Sequence, residues 1–199
     1  MKKLTIVCLI VLLTLATVLC MTACNIGTTV TYEISVDTKN VSVDVSAIKV
    51  CLYAMDGTAV TETGLTNGKA TFQLKADSYV ATVSGLDETV TFSSVMLTRN
   101  SRKATITVSN SDCDEFDEFY SYAFTIIVLS GSYKLSELTA QICDLDLMCI
   151  DEDFANGNVV DFVTNGGECS VEIFDRDNQE IFKETFTVDL DMRFYIIRL

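Results

Sequence analysis

The stretch Lys49 to Leu86, KVCLYAMDGTAVTETGLTNGKATFQLKADSYVATVSGL, limits the fold of this chain more than any other. Apolar residues return at every second position: Val50, Leu52 and Ala54, then Ala70, Phe72 and Leu74, then Tyr79, Ala81 and Val83. A period of two places them all on one face of a pleated strand, whereas a helix would scatter them. Asp56-Gly57, Asn67-Gly68 and Ala76-Asp77-Ser78 punctuate the runs. Asn-Gly supplies the positive φ angles that a two-residue turn demands. The stretch therefore reads as strand, turn, strand, tight turn, strand, turn, strand.

The same period extends on both sides. Val30, Tyr32, Ile34 and Val36 alternate with Thr31, Glu33 and Ser35, and Val41, Val43 and Val45 continue as a second short strand or a bent extension. Val90 and Phe92 mark a short strand. After the basic loop Arg99 to Lys103, Ala104, Ile106 and Val108 form the last strand of the first half. The second half brings Tyr122 to Val128, Leu138 to Ile142, a turn region at Cys149 to Asn158, and Val160 with Phe162. Asn165-Gly166-Gly167 turns the chain into Cys169, Val171 and Ile173, followed by Phe186 with Val188 and by Phe194 to Leu199.

The halves correspond at a nearly constant offset of about 90 residues, far above a solenoid period. Tyr32 matches Phe124, Val50 matches Ile142, Asn67-Gly68 matches Asn156-Gly157, Phe72 matches Phe162, Tyr79 matches Cys169 and Ile106 matches Ile196. We read an all-β chain of two tandem antiparallel β-sandwiches at 30–110 and 122–199, joined by the acidic linker 111–121.

Ahead of them, Lys2 and Lys3 precede an apolar run from Leu4 to Leu19 and then Met21-Thr22-Ala23-Cys24, the layout of an export signal over 1–23. The last four residues resemble a bacterial lipobox. That resemblance implies lipid on Cys24, a tether at 24–29, and a place in the cell envelope on the extracytoplasmic face of a bacterial membrane. Met21 stands where the motif usually has Leu. Losing Lys2 and Lys3 leaves 12 basic against 28 acidic residues. Such a balance repels nucleic acid and anionic lipid surfaces, favours solubility, and excludes nucleic acid as a partner. The chain has no histidine, which removes Ser-His and Cys-His nucleophile pairs and histidine-ligated zinc.

The run from Lys49 through Asn67-Gly68-Lys69, Ala70 to Leu74 and Tyr79 to Val83 resembles the prealbumin-like (transthyretin-like) modules of bacterial surface proteins. One relative, the Cna-B module, often carries a Lys–Asn isopeptide bond promoted by an acid a few residues beyond the tyrosine. Val83 stands at that place, with Val171 or Ile173 in the second half, so no such bond is expected. Another relative, hydroxyisourate hydrolase, depends on histidines that are missing here.

After the signal and Cys24, five cysteines remain: Cys51, Cys113, Cys143, Cys149 and Cys169. Cys143 and Cys149 flank a turn and are candidates for a local disulfide, while Cys169 takes the inward position of Tyr79 as a buried thiol. Asp112, Asp114, Asp117 and Glu118 could gather around calcium, but no EF-hand spacing follows, and a solvated linker is the simpler account. Asp144 with Asp146, Asp151 to Asp153, and Asp175-Arg176-Asp177-Asn178 read as solvated turns rather than acid–base pairs. No catalytic residue, metal or cofactor is assigned. The expected role is a lipid-anchored binding, scaffold or adhesion module for a protein or glycan at the cell surface. A fimbrial subunit or anchor and a carboxylate-dependent glycan hydrolase are the alternatives.

Overall fold

The computed structural model describes residues 28–113, 120–143, 149–153 and 158–199. The signal, Cys24, the central acidic run 114–119, Asp144 and Asp146, and Asn156-Gly157 lie outside the described residues.

The first half contains β1 (Thr29–Asp37), β2 (Lys49–Ala54), β3 (Ala59–Gly64), β4 (Lys69–Lys75), β5 (Tyr79–Ser84), β6 (Val90–Phe92), β7 (Val95–Leu97) and β8 (Lys103–Asn110). They form two sheets, ordered β4-β1-β8-β6 and β3-β2-β5-β7. The inward residues of the two sheets enclose one core, with Tyr32, Ile34, Val50, Leu52, Phe72 and Ile106 at its centre. Asn67 and Gly68 both hold positive φ, 52° and 74°, as the dipeptide required. Gly85 is also left-handed, and a Cβ there would collide with the Ala47 carbonyl.

After β9 (Asp112–Cys113), the second half contains β10 (Tyr120–Leu129), a 3-10 turn at Leu135–Glu137, β11 (Thr139–Cys143), β12 (Cys149–Asp153), β13 (Val159–Thr164), β14 (Gly167–Phe174), β15 (Glu180–Val188) and β16 (Phe194–Arg198). Their sheets run β13-β10-β16 and β12-β11-β14-β15, and β9 pairs with the start of β10. Phe124, Ile126, Ile142, Phe162, Val171 and Ile173 fill the core between them. The pairing plan of the first half recurs: Tyr32 faces Phe72 across β1–β4, and Phe124 faces Phe162 across β10–β13.

Several expectations change in detail. The strands pair antiparallel except β1 with β8 and β10 with β16, which are parallel. In each half the last strand crosses back to lie beside the first in the same direction, a connection that local alternation cannot encode. Residues 38–48 form turns and bends, not a second strand. Val41 and Val43 still pack on the core, which accounts for their alternation. Cys149–Asp153, expected as part of a turn region, is a strand paired with β11. Parallel register aligns Val36 with Ile106 and Val128 with Ile197, so Ile197 rather than Ile196 occupies the core position of Ile106.

Tyr32 shows how side chain and turn fit together. Its hydroxyl donates to the Asp77 carbonyl at 2.6 Å and accepts the Asp77 N–H at 3.0 Å, fastening the β4–β5 turn to β1. Its ring meets Tyr79 edge-on at 5.3 Å. Tyr32→Phe should lower stability by about 1 kcal/mol in urea denaturation, because the turn loses its partner. Ile126→Ala, at a fully buried site, should cost about 2–5 kcal/mol. Equal midpoints for wild type and Ile126→Ala would contradict this account of the second core.

Candidate functional site

Through Tyr79–Val83 of β5 and Phe124–Val128 of β10, neither strand has a solvent face. Every residue of Tyr79–Val83 is buried, and so is Tyr122 and the whole of Phe124–Val128. An alternating strand covers one face with its own sandwich, so the second face must meet something else. Here the two halves cover each other. Tyr53, Met55, Val80 and Met96 pack against Ile127, Leu129, Met192, Phe194 and Ile196 in a third apolar cluster. Tyr53 and Phe194 meet edge-on at 5.3 Å.

Polar contacts fix this joint in register. Asp189-Leu190-Asp191-Met192 carries the chain from β15 into Arg193, which sits at φ 55° and is only 6% exposed. Its guanidinium lies 4.5 Å over the Phe92 ring and 4.8 Å over the Tyr122 ring. One terminal nitrogen donates to Thr91 Oγ1 at 3.1 Å and the other to the Val90 carbonyl at 3.3 Å. Nε donates to the Leu190 carbonyl at 2.9 Å. Burial pulls its pKa below the usual arginine value, while Tyr122 and Asp191 oppose the shift. The flat cation is held by ring faces and carbonyls rather than by an ion pair.

Around it, Thr91 Oγ1 accepts the Ala123 N–H at 2.8 Å, the Tyr122 hydroxyl donates to the Glu88 carbonyl at 3.1 Å, and Ser94 Oγ donates to the Met192 carbonyl at 3.3 Å. Arg198 donates to the Met55 carbonyl. Thr125 Oγ1 donates to Asp161 Oδ1 at 2.6 Å. Desolvation raises the Asp161 pKa, opposed chiefly by this bond.

Beside the joint lies an open groove of about 300 Å³, lined by Asp56 and Gly57 from the first half and by Asp189, Phe194, Tyr195 and Arg198 from the second. Backbone and side-chain bonds from Thr58 hold the Asp56 pKa below the usual carboxylate value. Asp189 Oδ1 accepts the Asp191 and Met192 N–H groups at 2.9 and 3.2 Å. Tyr195 stacks on Phe186 at 4.4 Å and donates to Glu184 at 3.0 Å. Burial pushes its hydroxyl pKa up, assisted by Glu184. The groove thus offers acceptors, one guanidinium and aromatic edges, an arrangement suited to holding a polar ligand.

The residues singled out in the sequence fall elsewhere. The β11–β12 register sets Cys143 directly opposite Cys149. Cys51 is half-buried and Cys169 fully buried, both outside any disulfide. Cys169 lies within the second core as its alignment with Tyr79 implied. Val83 is buried in the first core. Asp175 caps its hairpin turn, accepting from Asp177 and Gln179 at 2.9 Å each. The side chains of Asp112 and Asp151–Asp153 lie outside the described residues. No group of three metal-binding side chains gathers among the described residues.

Sequence reasoning missed the joint. The run Tyr122 to Leu129, YAFTIIVL, is apolar on both faces and carried the signal for a doubly covered strand. Arg193, a lone cation beside an acidic turn, carried none.

No family model matches the chain, and no curated protein matches it. Among solved structures, it is similar to the Bacillus anthracis TIE protein at 14% identity and a TM-score of 0.32, over 84% of this chain and 33% of that one. This chain therefore spans a third of that structure. A structure of family 41 carbohydrate-binding modules from streptococcal virulence factors is similar at 12% identity and a TM-score of 0.34, covering 84% of this chain and 93% of that one. A shaft pilin from Lactobacillus rhamnosus GG gives 8% identity and a TM-score of 0.34, covering 86% and 97%. At such scores these likenesses carry no argument about activity.

Two measurements test the joint. Arg193→Leu should split the unfolding of the full chain into two transitions and destabilise the second half by about 2–3 kcal/mol, because the Val90 carbonyl and both rings lose their partner. A single transition with an unchanged midpoint would contradict this. Because the folded-state pKa of Asp161 is raised, its neutral form is favoured by folding. The contribution of Asp161 should therefore grow as pH falls through the carboxylate range, opposite in sign to those of Glu33, Asp44, Asp56, Asp87 and Glu137, whose lowered pKa values make them lose stability there, and Asp161→Asn should remove only the Asp161 component.

Proposed function

We propose that this chain is a non-enzymatic binding or scaffold module displayed at the cell surface, built as a duplicated β-sandwich unit at 30–110 and 122–199 and anchored by lipid on Cys24. The observation that carries this reading is the joint. Two sandwiches docked through a buried apolar cluster and a buried arginine make one stiff body. Stiffness suits presentation of a fixed surface to a partner, because little ordering entropy is lost on binding. No helix among the described residues is long and apolar enough to cross a membrane. The proposed attachment is the acyl chain.

The partner surface we favour is the groove between Asp56 and Tyr195, for a protein or glycan ligand that offers hydroxyl or amide donors. Opposite positions in a β-ladder place Cα atoms within disulfide range. We assign a Cys143–Cys149 bridge closing the β11–β12 hairpin in the oxidising envelope.

Palmitate labelling and detergent phase partition should place the wild type in the detergent phase, and Cys24→Ala in the aqueous phase without label. Soluble, unlabelled wild type would reject the anchor. On arrays of immobilised glycans and matrix proteins, Tyr195→Ala should weaken retention about tenfold or more. Release of sugar from any glycan would reject the non-enzymatic reading.

A further inference from the structure

The outer edge of β16 is open. Successive residues of a strand turn their main-chain groups to opposite sides, and the parallel β10–β16 ladder fixes which way each turns. Thr125 donates to the Arg193 carbonyl at 3.1 Å, and Leu199 donates to the Leu129 carbonyl at 2.9 Å. With Thr125 beside Phe194 and Leu129 beside Arg198, the groups of Arg193, Tyr195, Ile197 and Leu199 face β10. The N–H and C=O groups of Phe194, Ile196 and Arg198 therefore point away from it. Among the described residues no strand pairs with β16 on that side, and no turn or side chain bonds those groups.

That edge forms the floor of the groove beside the joint. Phe194, Tyr195 and Ile196 all line it, together with Arg198. Side chains of a strand alternate between its two faces, so a cavity touching three successive residues runs along the strand's edge. Asp56 and Gly57 of the first half stand on one side, Thr187 and Asp189 on the other. Phe194 is buried, Ile196 half-buried and Arg198 exposed, so the groove opens toward Arg198. From Phe194 to Arg198 the edge runs about 13 Å at the usual strand rise. Phe194–Ile197 carries no charged side chain, the common guard of an open edge. In the first half, β8 accepts β6 on this same side at Val108–Asn110, just past the counterpart of Arg198.

Donors and acceptors that recur every second residue along a straight edge are matched by another extended backbone. The walls select the charge of its side chains. Asp56 and Asp189 face the groove, and Asp191 and Glu184 lie close by, bonded to Asp189 and Tyr195. Arg198, the cation at the mouth, is already engaged: it donates to the Met55 carbonyl and acts on Asp56. We propose that β16 is an acceptor edge, to which an extended basic segment of a partner protein adds as a strand, its backbone bonded to Phe194, Ile196 and Arg198. The proposal rests on reading the groove as the partner surface, and it names the partner's class as a Lys- or Arg-bearing peptide rather than a glycan. Main-chain bonds supply the affinity, and the carboxylates on the walls supply the selectivity.

The test uses the full wild-type chain and a fluorescein-labelled peptide of about eight residues, alternating Lys and Thr with blocked ends, a length typical of a strand. Fluorescence anisotropy should show saturable binding. A copy methylated at every backbone nitrogen keeps the charges but donates no main-chain bond, and should bind at least about tenfold more weakly. At saturation the Ile196 and Arg198 amides should exchange their hydrogens about tenfold more slowly, while Tyr195 and Ile197, already bonded to β10, stay unchanged. Arg198→Pro deletes an outward N–H and leaves the β10 ladder intact, so it should bind about fivefold more weakly than Arg198→Ala. Equal affinity for the methylated peptide, or unchanged exchange at Ile196 and Arg198, overturns strand addition, since charge alone would then hold the peptide. Glycan retention that Tyr195→Ala abolishes, with no peptide bound, also overturns it but keeps the groove as the partner surface. If no peptide binds and Tyr195→Ala changes nothing on the arrays, both readings fall.

Discussion

The architecture depends on covering the second faces of β5 and β10. Val80 and Ile127 point away from their own sandwiches and are fully buried against the opposite half. Were the halves separated, the outward face of each strand would meet water along with Tyr53, Met96 and Phe194. Such a patch is large enough to drive association rather than remain exposed. The two halves consequently act as one body, and the acidic segment between them does not have to set their geometry.

Arg193 gives that contact its register. Apolar surfaces slide past one another at little cost, since dispersion is nearly non-directional. A guanidinium between two rings, donating to Thr91 Oγ1 and the Val90 carbonyl, permits one arrangement. The left-handed backbone at Arg193 is uncommon for a residue with a Cβ and is maintained by these contacts. Direction follows as well. Tyr122 and Ala123 meet Glu88 and Thr91, whereas Asn158, across from the end of β10, meets Met96. The second sandwich therefore lies alongside the first, with β10 running against β8, and does not extend from it as a bead on a string. That packing brings Arg198 and the start of β1 to a common end.

The groove itself depends on this arrangement. Asp56 belongs to a first-half turn, while Asp189, Tyr195 and Arg198 lie far along the chain, and only docking assembles them. Any ligand held there would sense the state of the joint, so ligand binding and Arg193 substitutions should be energetically coupled.

Alternation at Tyr32 to Val36, Val50 to Ala54 and Phe124 to Val128 was enough to fix strands, facing and an all-β class, because a two-residue period has one meaning on a pleated sheet. Asn67-Gly68 fixed its own turn for the same local reason. The offset between halves placed Cys169 in the core beside the residues that replace Tyr79's neighbours. Tertiary structure alone decided the parallel β1–β8 and β10–β16 pairs, the strand at Cys149–Asp153, and the choice of Ile197 over Ile196. These depend on hydrogen bonds between segments distant in sequence, which a local pattern cannot register. It also decided the joint: whether Val80 and Ile127 face water or each other depends on the meeting of two surfaces, and each strand encodes only its own half of that contact.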